Sequence, residues 1–509
     1  MRVIYASAEV FPLAKTGGLA DVSAALPAAL AKLGVDIRLV MPGYTEALDR
    51  AAAKQSAIPL APVLGVDDVR LVPAKLPDSD LPIWLLDCPS LFRRPGGLYL
   101  DDNGDDWPDN ARRFAVLSHV VSRLALGTAV DALASWQPDV VHVNDWHLGL
   151  VPALLAAEGG LRPPSLLTIH NLAFQGVFPR EVYPQLGLPE RWFTADTAEF
   201  YGKVSFLKAG IRFADGLTTV SPRYADEILT PEFGCGLDGF LRRRTDHLTG
   251  ILNGIDYGLW TPDDPIAVPA PYSAKNLAGK RRCKAALQAE LSLEAAPEAP
   301  VIAFISRLTD QKMADALPAI APVIAAQGGQ LVVCGEGDVA IVQGLLALQL
   351  QYPGMVAVRI GYEEGLARRI LAGADILAAP SRFEPCGLVQ MYAMHYGTIP
   401  IVRSVGGLLD TVVRHDVEGG VSGTSTGFMF DEPTVEGFSD AVQRACRHYR
   451  KPVAWRAMQI RAMQQDFSWT RSAEQYRQLY AQIAPNFGPQ DLAEDAPVAA
   501  ASRLLATGS

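Results

Sequence analysis

Two adjacent glycines near the start of the chain have the surroundings of a phosphate-binding loop. Gly17 and Gly18 follow Lys15 and lie between an apolar, strand-like run and a helical pattern that contains Asp21. Glycines at a strand-to-helix junction let N–H groups approach a phosphate closely, the helix N-terminus adds partial positive charge, and Lys15 adds a full one. A Gly-Gly pair by itself more often marks a turn. Together with Lys15 and the helix that follows, this pair instead predicts one half of a diphosphate-binding site.

Two segments far downstream could form the other half of that site. Arg307 ends an apolar run and Lys312 follows shortly after it, while Glu384 stands in a second segment at 382–388. Isolated basic residues usually face solvent. Arg307, however, lies at the end of a predicted strand, where ligands bind in open parallel sheets. A site assembled from such distant segments indicates a cleft between two domains.

Length and composition exclude several classes of function. The chain has 509 residues, more than one hydrophobic core normally supports, and it carries a formal net charge of -10. Nucleic acids and anionic membranes attract basic surfaces, so neither is expected as a main partner. The six cysteines show no C-x-x-C spacing, which argues against a zinc site or a disulfide framework. With no export signal or membrane span in the sequence, we expect a cytoplasmic protein.

Short apolar runs alternate with longer helical patterns from end to end, which is typical of doubly wound parallel α/β sheets. Prolines are concentrated at 261–271, where regular structure is disfavoured. We therefore predict an α/β fold with two Rossmann-like domains at 1–257 and 258–470, a helix at 471–487 and a disordered tail at 488–509. The predicted strands are 3–6, 35–41, 83–87, 140–144, 166–170, 217–221, 249–253, 301–306, 331–334, 356–360, 376–379 and 398–402.

Polar side chains follow several of these strands and would meet along one edge of each sheet. Asp145 and His170 close neighbouring strands of the first half, Asn253 closes its last strand, and Tyr362 follows a strand of the second half. Ligands of doubly wound sheets bind at such strand ends. These residues are therefore candidates for the same cleft as the basic segments.

Two patterns imitate metal sites. His142 and His147 lie on a strand-turn junction and lack the facing geometry of a helical pair, so we expect ordinary hydrogen-bonded histidines. Asp78 and Asp80 form a D-x-D pattern between prolines with no nucleotide motif beside it. A cleft already supplied with arginine and lysine needs no metal for a diphosphate, and we predict none.

Together, these motifs resemble those of bacterial glycogen synthases and plant starch synthases, retaining transferases of the GT-B type. The likeness runs from Val3 to about Tyr480. The tyrosine at position 392, Tyr392, resembles the residue found there in the glycogen synthase branch in particular. The resemblance implies two Rossmann-like domains facing across a deep cleft, with a C-terminal helix that crosses back onto the first. The motifs that carry it are 15–22, 98–101, 145–147, 170–171, 230–234, 253–256, 306–312, 382–388 and 426–428.

This resemblance implies transfer of glucose from ADP-glucose to an α-1,4-glucan, without a cofactor or metal. The implied catalytic residues are His170, Asp145, Arg307, Lys312 and Glu384. The implied donor-binding residues are Lys15, Gly17, Gly18, Asp21, Asn253, Tyr362, Cys386, Gly387 and Leu388, and the implied acceptor-binding residue is Tyr99.

The sequence departs from the family pattern at three positions outside these motif ranges. Met313 follows Lys312 where the family usually has glycine, Asn144 stands where histidine is common, and Val405 replaces a frequent threonine. None of these changes removes a charged residue that the chemistry needs. Met313 bears most directly on how the donor loop approaches a phosphate.

Three other classes of protein share part of this pattern. A nicotinamide oxidoreductase should show G-x-G-x-x-G after the first strand, and this chain does not. A non-catalytic glucan-binding homologue would have lost the ionic residues that are present here. A UDP-sugar transferase of the same fold stays open, because sequence alone separates adenine from uracil recognition poorly. Oligomeric state, acceptor length and regulation also stay open.

Overall fold

The computed structural model describes residues 1–77, 79–130, 133, 135–415 and 423–484. Within these ranges the chain forms two α/β units, each built around a largely or wholly parallel sheet. The predicted fold class is therefore confirmed. The predicted tail at 488–509 and Asp78 of the D-x-D pattern lie outside the described residues.

The described residues of the first unit form twelve strands. They are β1 (Arg2–Ala6), β2 (Asp36–Pro42), β3 (Ile58–Pro59), β4 (Arg70–Lys75), β5 (Pro82–Asp87), β6 (Val140–Asn144), β7 (Ser165–Ile169), β8 (Val177–Phe178), β9 (Glu199–Phe200), β10 (Lys203–Ser205), β11 (Gly216–Thr219) and β12 (Leu248–Gly250). Nine of them form one sheet in the order β12-β11-β7-β6-β1-β2-β5-β4-β3, and β8, β10 and β9 form a small separate sheet. Only β3, β4 and β5 of the large sheet pair antiparallel.

Helices cover both faces of the large sheet. They are α1 (Gly18–Lys32), α2 (Thr45–Arg50), α3 (Pro89–Phe92), α4 (Asn110–Ala125), α5 (Leu150–Glu158), α6 (Phe206–Phe213), α7 (Pro222–Glu227) and α8 (Asp238–Arg242). The central strand β1 is buried from Val3 to Ala6. Such continuous apolar strands are what a parallel sheet covered on both faces requires.

The second unit alternates strand and helix more regularly. Its elements are α9 (Ala278–Glu290), β13 (Val301–Ile305), α10 (Leu317–Ala326), β14 (Gln330–Gly335), α11 (Val339–Gln351), β15 (Val356–Ile360), α12 (Glu364–Gly373), β16 (Ile376–Ala379), α13 (Val389–His395), β17 (Ile399–Arg403), α14 (Gly406–Thr411), β18 (Phe428–Phe430), α15 (Val435–Tyr449) and α16 (Pro452–Met463). They are followed by the last described helix of the chain, α17 (Trp469–Ile483). All six strands are parallel, in the order β15-β14-β13-β16-β17-β18.

The last helix, α17, returns to the first unit and packs against α1. The hydroxyl of Tyr480 lies 2.7 Å from His142 Nδ1, and the ring of Tyr476 stacks on the same imidazole. The predicted crossing of the C-terminal helix is confirmed. The division at residue 257 stays a prediction, although β12 ends at Gly250 and β13 begins at Val301.

The two histidines of the possible metal pattern have different surroundings. Thr168 Oγ1 lies 2.6 Å from Nε2 of His142, so this histidine is a hydrogen-bonded core residue as predicted. For His147 the prediction was wrong, because neither ring nitrogen has a hydrogen-bond partner among the described residues and the ring instead stacks on Trp146. The described part of the chain contains no group of three or more His, Cys, Asp or Glu side chains that could hold a metal ion. None of the described helices is long and apolar enough to cross a membrane.

Candidate active site

The loop that carries Lys15 is held by a carboxylate that the sequence analysis did not identify. Glu9 follows β1 and is buried, and it accepts hydrogen bonds from Thr16 N at 2.6 Å, Thr16 Oγ1 at 2.6 Å and Gly17 N at 3.3 Å. The hydroxyl of Tyr99 also donates to Glu9, at 2.6 Å. The Gly17 N–H is thus used within the loop itself. Gly18 is the first residue of α1, where N–H groups lack partners within the helix.

Lys15 faces the second unit from this loop. Its Nζ donates to Asp21 at 2.7 Å and lies 5.6 Å from the ring centroid of Tyr362. Burial raises the pKa of Asp21, and the charge of Lys15 opposes that rise. A Cβ atom on Gly18 would lie 3.5 Å from Leu388 Cδ1. The structure therefore brings the predicted donor residues of the two halves together across the cleft.

Asp145 occupies a strained backbone position directly after β6. Its φ of 58° and ψ of -174° are a combination that residues other than glycine rarely adopt. The strain places Oδ1 2.8 Å from the backbone nitrogen of His170, which donates to it. Burial raises the pKa of Asp145 to about 7, against hydrogen bonds from the backbones of His170 and Asn171. This carboxyl can therefore change charge near neutral pH.

The tautomer of His170 follows from its neighbour Asn144. The Asn144 Nδ2 donates to the carbonyl of Ala6 at 2.9 Å, so its Oδ1 must be the atom 2.9 Å from His170 Nε2. Nε2 consequently carries the proton, and Nδ1 presents a lone pair. Burial lowers the pKa of His170 to about 3, so the imidazole is neutral. Asn144, one of the departures from the family pattern, thus keeps His170 in a defined state.

In the second unit, Lys312 and Glu384 form an ion pair. Their side chains are only 17% and 11% exposed, and Ser381 Oγ donates to Glu384 Oε2 at 2.9 Å. Arg307 is exposed, with Nη2 3.4 Å from Gln311 Oε1. The carboxylate and its cation therefore occupy fixed positions, while Arg307 is accessible to a ligand.

Cys386 and Asn253 meet where the two units join. Burial raises the pKa of the Cys386 thiol to about 12, and hydrogen bonds from Asn253 oppose this rise. Gly387 has a φ of 71°, and a Cβ atom there would lie 2.4 Å from Gln390 Oε1. The positive φ and the close approach of Gln390 explain why residue 387 is a glycine. None of these contacts involves a ligand, so the predicted donor roles of Asn253, Cys386 and Gly387 stay predictions.

Tyr99 has surroundings that its predicted acceptor role did not anticipate. Its ring lies 4.6 Å from that of His147, at an angle of 30° between the planes, and its hydroxyl is bonded to Glu9. The residue thus supports the Lys15 loop. Its contact with an acceptor sugar stays a prediction.

Met313 adopts the left-handed helical conformation, with φ 55° and ψ 33°, and its side chain is buried. Glycine reaches this conformation freely, whereas other residues pay roughly 1–2 kcal/mol. The departure from glycine therefore adds backbone strain directly after Lys312. The buried thioether side chain compensates for it.

Comparison with known proteins identifies the family. Residues 2–243 match the profile of the starch synthase catalytic domain, and residues 290–459 match that of the glycosyl transferases group 1. The chain is 52% identical to the glycogen synthase of Burkholderia thailandensis over 485 residues, which is 95% of this chain and 90% of that protein. It is 47% identical to the glycogen synthase of Paramagnetospirillum magneticum, over 96% of this chain and 99% of that protein. The chain belongs to the glycogen synthase family.

A solved structure of the same family agrees with this assignment. The catalytic domain of starch synthase IV from Arabidopsis thaliana, bound to ADP and acarbose, superposes with a TM-score of 0.84 at 31% sequence identity. The match covers 95% of this chain and 99% of that one. The GT-B architecture is thereby confirmed, and this member of the glycogen synthase family is a retaining hexosyltransferase.

Proposed function

We propose that this protein transfers glucose from ADP-glucose to the non-reducing 4-hydroxyl of an α-1,4-glucan, with retention at the anomeric carbon. The observation that carries the proposal is the meeting of the two units at this loop, where Lys15 lies near Tyr362 and Gly18 lies near Leu388. The Lys312–Glu384 pair lies on the second side of the same cleft. The relatives support these substrates, because they are glycogen and starch synthases and one of them is bound to ADP.

Charge is the chemical problem that the site must solve. Breaking the bond from glucose to the diphosphate creates an anionic leaving group and an oxocarbenium-like sugar. Cations in fixed positions stabilise that charge more in the transition state than in the ground state. In this proposal Arg307 and Lys312 bind the diphosphate, with Lys15 and the Gly18 N–H opposite. Glu384 accepts hydrogen bonds from donor hydroxyls and keeps Lys312 in place.

The first unit supplies the groups next to the sugar. The neutral His170 can accept a hydrogen bond from a sugar hydroxyl at Nδ1, because Nε2 donates to Asn144. Asp145, when ionised, places negative charge near the developing oxocarbenium ion and orients a sugar or acceptor hydroxyl. The departing phosphate helps to take the acceptor proton, so no protein carboxylate needs to act as the nucleophile. That differs from retaining glycosidases, which use a close pair of carboxylates.

Two aromatic rings complete the proposed substrate site. Tyr362 is 48% exposed and is assigned to stack on adenine, and Tyr99 to contact an acceptor glucose ring. The proposal includes no metal, because fixed cations perform the task of a metal at the diphosphate. It also includes a cytoplasmic location, which the six unpaired cysteines support.

Donor preference tests this function directly. Initial rates of glucose incorporation into glycogen are compared for ADP-glucose and UDP-glucose at matched concentrations. We expect a clear preference for ADP-glucose, with an α-anomeric linkage in the product. A preference for UDP-glucose would favour the UDP-sugar transferase, and no incorporation from either donor would favour the non-catalytic glucan-binding homologue.

A further inference from the structure

A buried carboxylate reaches from the first unit into the second. Glu227, the last residue of α7, is 5% exposed. Its Oε1 and Oε2 accept the N–H of Gly406 at 3.0 and 3.1 Å. Burial raises its pKa, and the Gly406 N–H, Arg223 and Arg403 oppose that rise. A buried carboxylate requires such partners, because taking a charge out of water is costly.

The segment that Glu227 binds, Gly406–Gly407, packs closely against the backbone of Glu384, the proposed catalytic carboxylate. Gly406 has a φ of 45°, and a Cβ atom there would lie 2.0 Å from the carbonyl oxygen of Glu384. The next N–H, of Gly407, donates to that same carbonyl at 3.1 Å. A Cβ atom on Gly407 would lie 2.2 Å from the carbonyl oxygen of Cys386. Movement of the Gly406–Gly407 segment would therefore move the backbone of Glu384.

Two more hydrogen bonds from the same part of the first unit end nearby. Ser221 Oγ donates to the carbonyl of Pro385 at 2.8 Å, and the Arg223 N–H donates to Asp410 at 2.8 Å. Arg223 also binds Glu227 through Nε, at 3.2 Å. The stretch from Ser221 to Glu227 thus contacts both segments that surround Glu384.

We infer that Glu227 is a positioning residue that couples the docking of the two units to the placement of Glu384 and Lys312. The contacts run from the Glu227 carboxylate through Gly406 and Gly407 to the Glu384 backbone, and from the Glu384 side chain to Lys312. When the units are docked here, the cation and carboxylate are held in place for the donor. The effect of this coupling on the reaction rate rests on the proposed function. Its effect on the position of the Glu384 backbone rests on geometry alone.

The kinetic test compares Glu227→Ala and Glu227→Gln with Asp226→Ala, a change in the neighbouring exposed carboxylate of the same helix. Displacing a reacting group by about 1 Å can lower a rate roughly a hundredfold. We expect kcat with ADP-glucose to fall about 10- to 100-fold in Glu227→Ala while the KM for glycogen is unchanged. Glutamine can keep one hydrogen bond to Gly406, so Glu227→Gln should lie between alanine and wild type. Asp226→Ala should stay within about twofold of wild type.

A merely structural role predicts a different result. The melting temperature would then fall in Glu227→Ala, but kcat per folded molecule would match Asp226→Ala, and that outcome would overturn the inference. If Glu227→Ala does not fold, the volume-matched Glu227→Gln provides the test. A kcat of Glu227→Gln equal to that of wild type would then contradict the positioning role of Glu227.

Hydrogen exchange separates this inference from the proposed function. Amide exchange of the peptide at 382–388 is measured for wild type, Glu227→Gln and Asp226→Ala without substrate. We expect faster exchange in Glu227→Gln alone. If wild type fails to use ADP-glucose, the proposed function is wrong and this measurement still tests the coupling. Equal exchange in all three proteins would contradict the coupling, whatever the activity.

Discussion

Asp145 is the residue whose charge should control the pH dependence of the reaction. Its folded-state pKa of about 7 is raised by burial, so the carboxyl is neutral below that value and ionised above it. The ionised form is the one that stabilises a cationic sugar. We expect kcat to rise with pH and level off above about 7, with roughly a tenfold loss per pH unit below it.

Asp145→Asn provides the check on this assignment. The amide cannot ionise, so the variant should have a lower kcat. Its pH profile should also lose the acid limb, which is the fall in kcat below about pH 7. His170 stays neutral throughout this range because burial lowers its pKa to about 3. It therefore adds no limb near pH 7. The same acid limb in Asp145→Asn would show that another group is responsible.

At the scale of single residues, the sequence identified the charged motifs but not the side chains that hold those motifs in place. Glu9 is buried and organises the Lys15 loop, yet no local pattern marks it. Its place directly after β1 was the available signal, because ligand-site residues follow strands in these sheets. Glu227 offered no comparable signal. Its partner, Gly406, is distant in sequence and becomes a neighbour only when the two units dock.

At the scale of elements, the loop after Lys312 supports a stability prediction. Met313→Ala removes a buried side chain and keeps the left-handed strain, so it should cost about 2–5 kcal/mol. Met313→Gly loses the same side chain but relieves roughly 1–2 kcal/mol of strain. We therefore expect glycine to destabilise less than alanine, which is the reverse of their usual order inside a helix.

Urea unfolding of wild type and both Met313 variants measures this difference. Alanine equal to or more stable than glycine would contradict the strain that we assign to Met313. The loop change should affect stability more than donor binding, because the Lys312 side chain keeps its partner Glu384.

The parallel strands were predictable because they are continuous apolar runs, and each predicted strand overlaps an observed one. The missed strands lack that signal. β4 contains Pro73, which argues against a strand unless it pairs at a sheet edge. β8, β9 and β10 have only two or three residues each and pair with one another in a small antiparallel sheet. β18, from Phe428 to Phe430, is too short for a recognisable period.

At the scale of the whole molecule, the chain forms two separate α/β units, and units joined in this way commonly move about a hinge. The cross-cleft neighbours include Lys15 with Tyr362, and Glu227 with Gly406. We expect the free protein to sample a more open arrangement than this structure. Small-angle scattering should show a smaller radius of gyration when ADP and a malto-oligosaccharide are added. Identical scattering with and without these ligands would argue against closure.

The central claim is that fixed cations from both units stabilise one departing diphosphate without a metal. The most direct test is the initial rate of ADP release from ADP-glucose with glycogen, in excess EDTA, for wild type, Lys15→Ala and Lys312→Ala. We predict that wild type keeps its rate and that each variant loses a few hundredfold or more, equivalent to about 3–4 kcal/mol of transition-state stabilisation. Wild-type activity that collapses in EDTA and returns with Mg²⁺ or Mn²⁺ would contradict this account. So would variants within about threefold of wild type, a loss below about 1 kcal/mol.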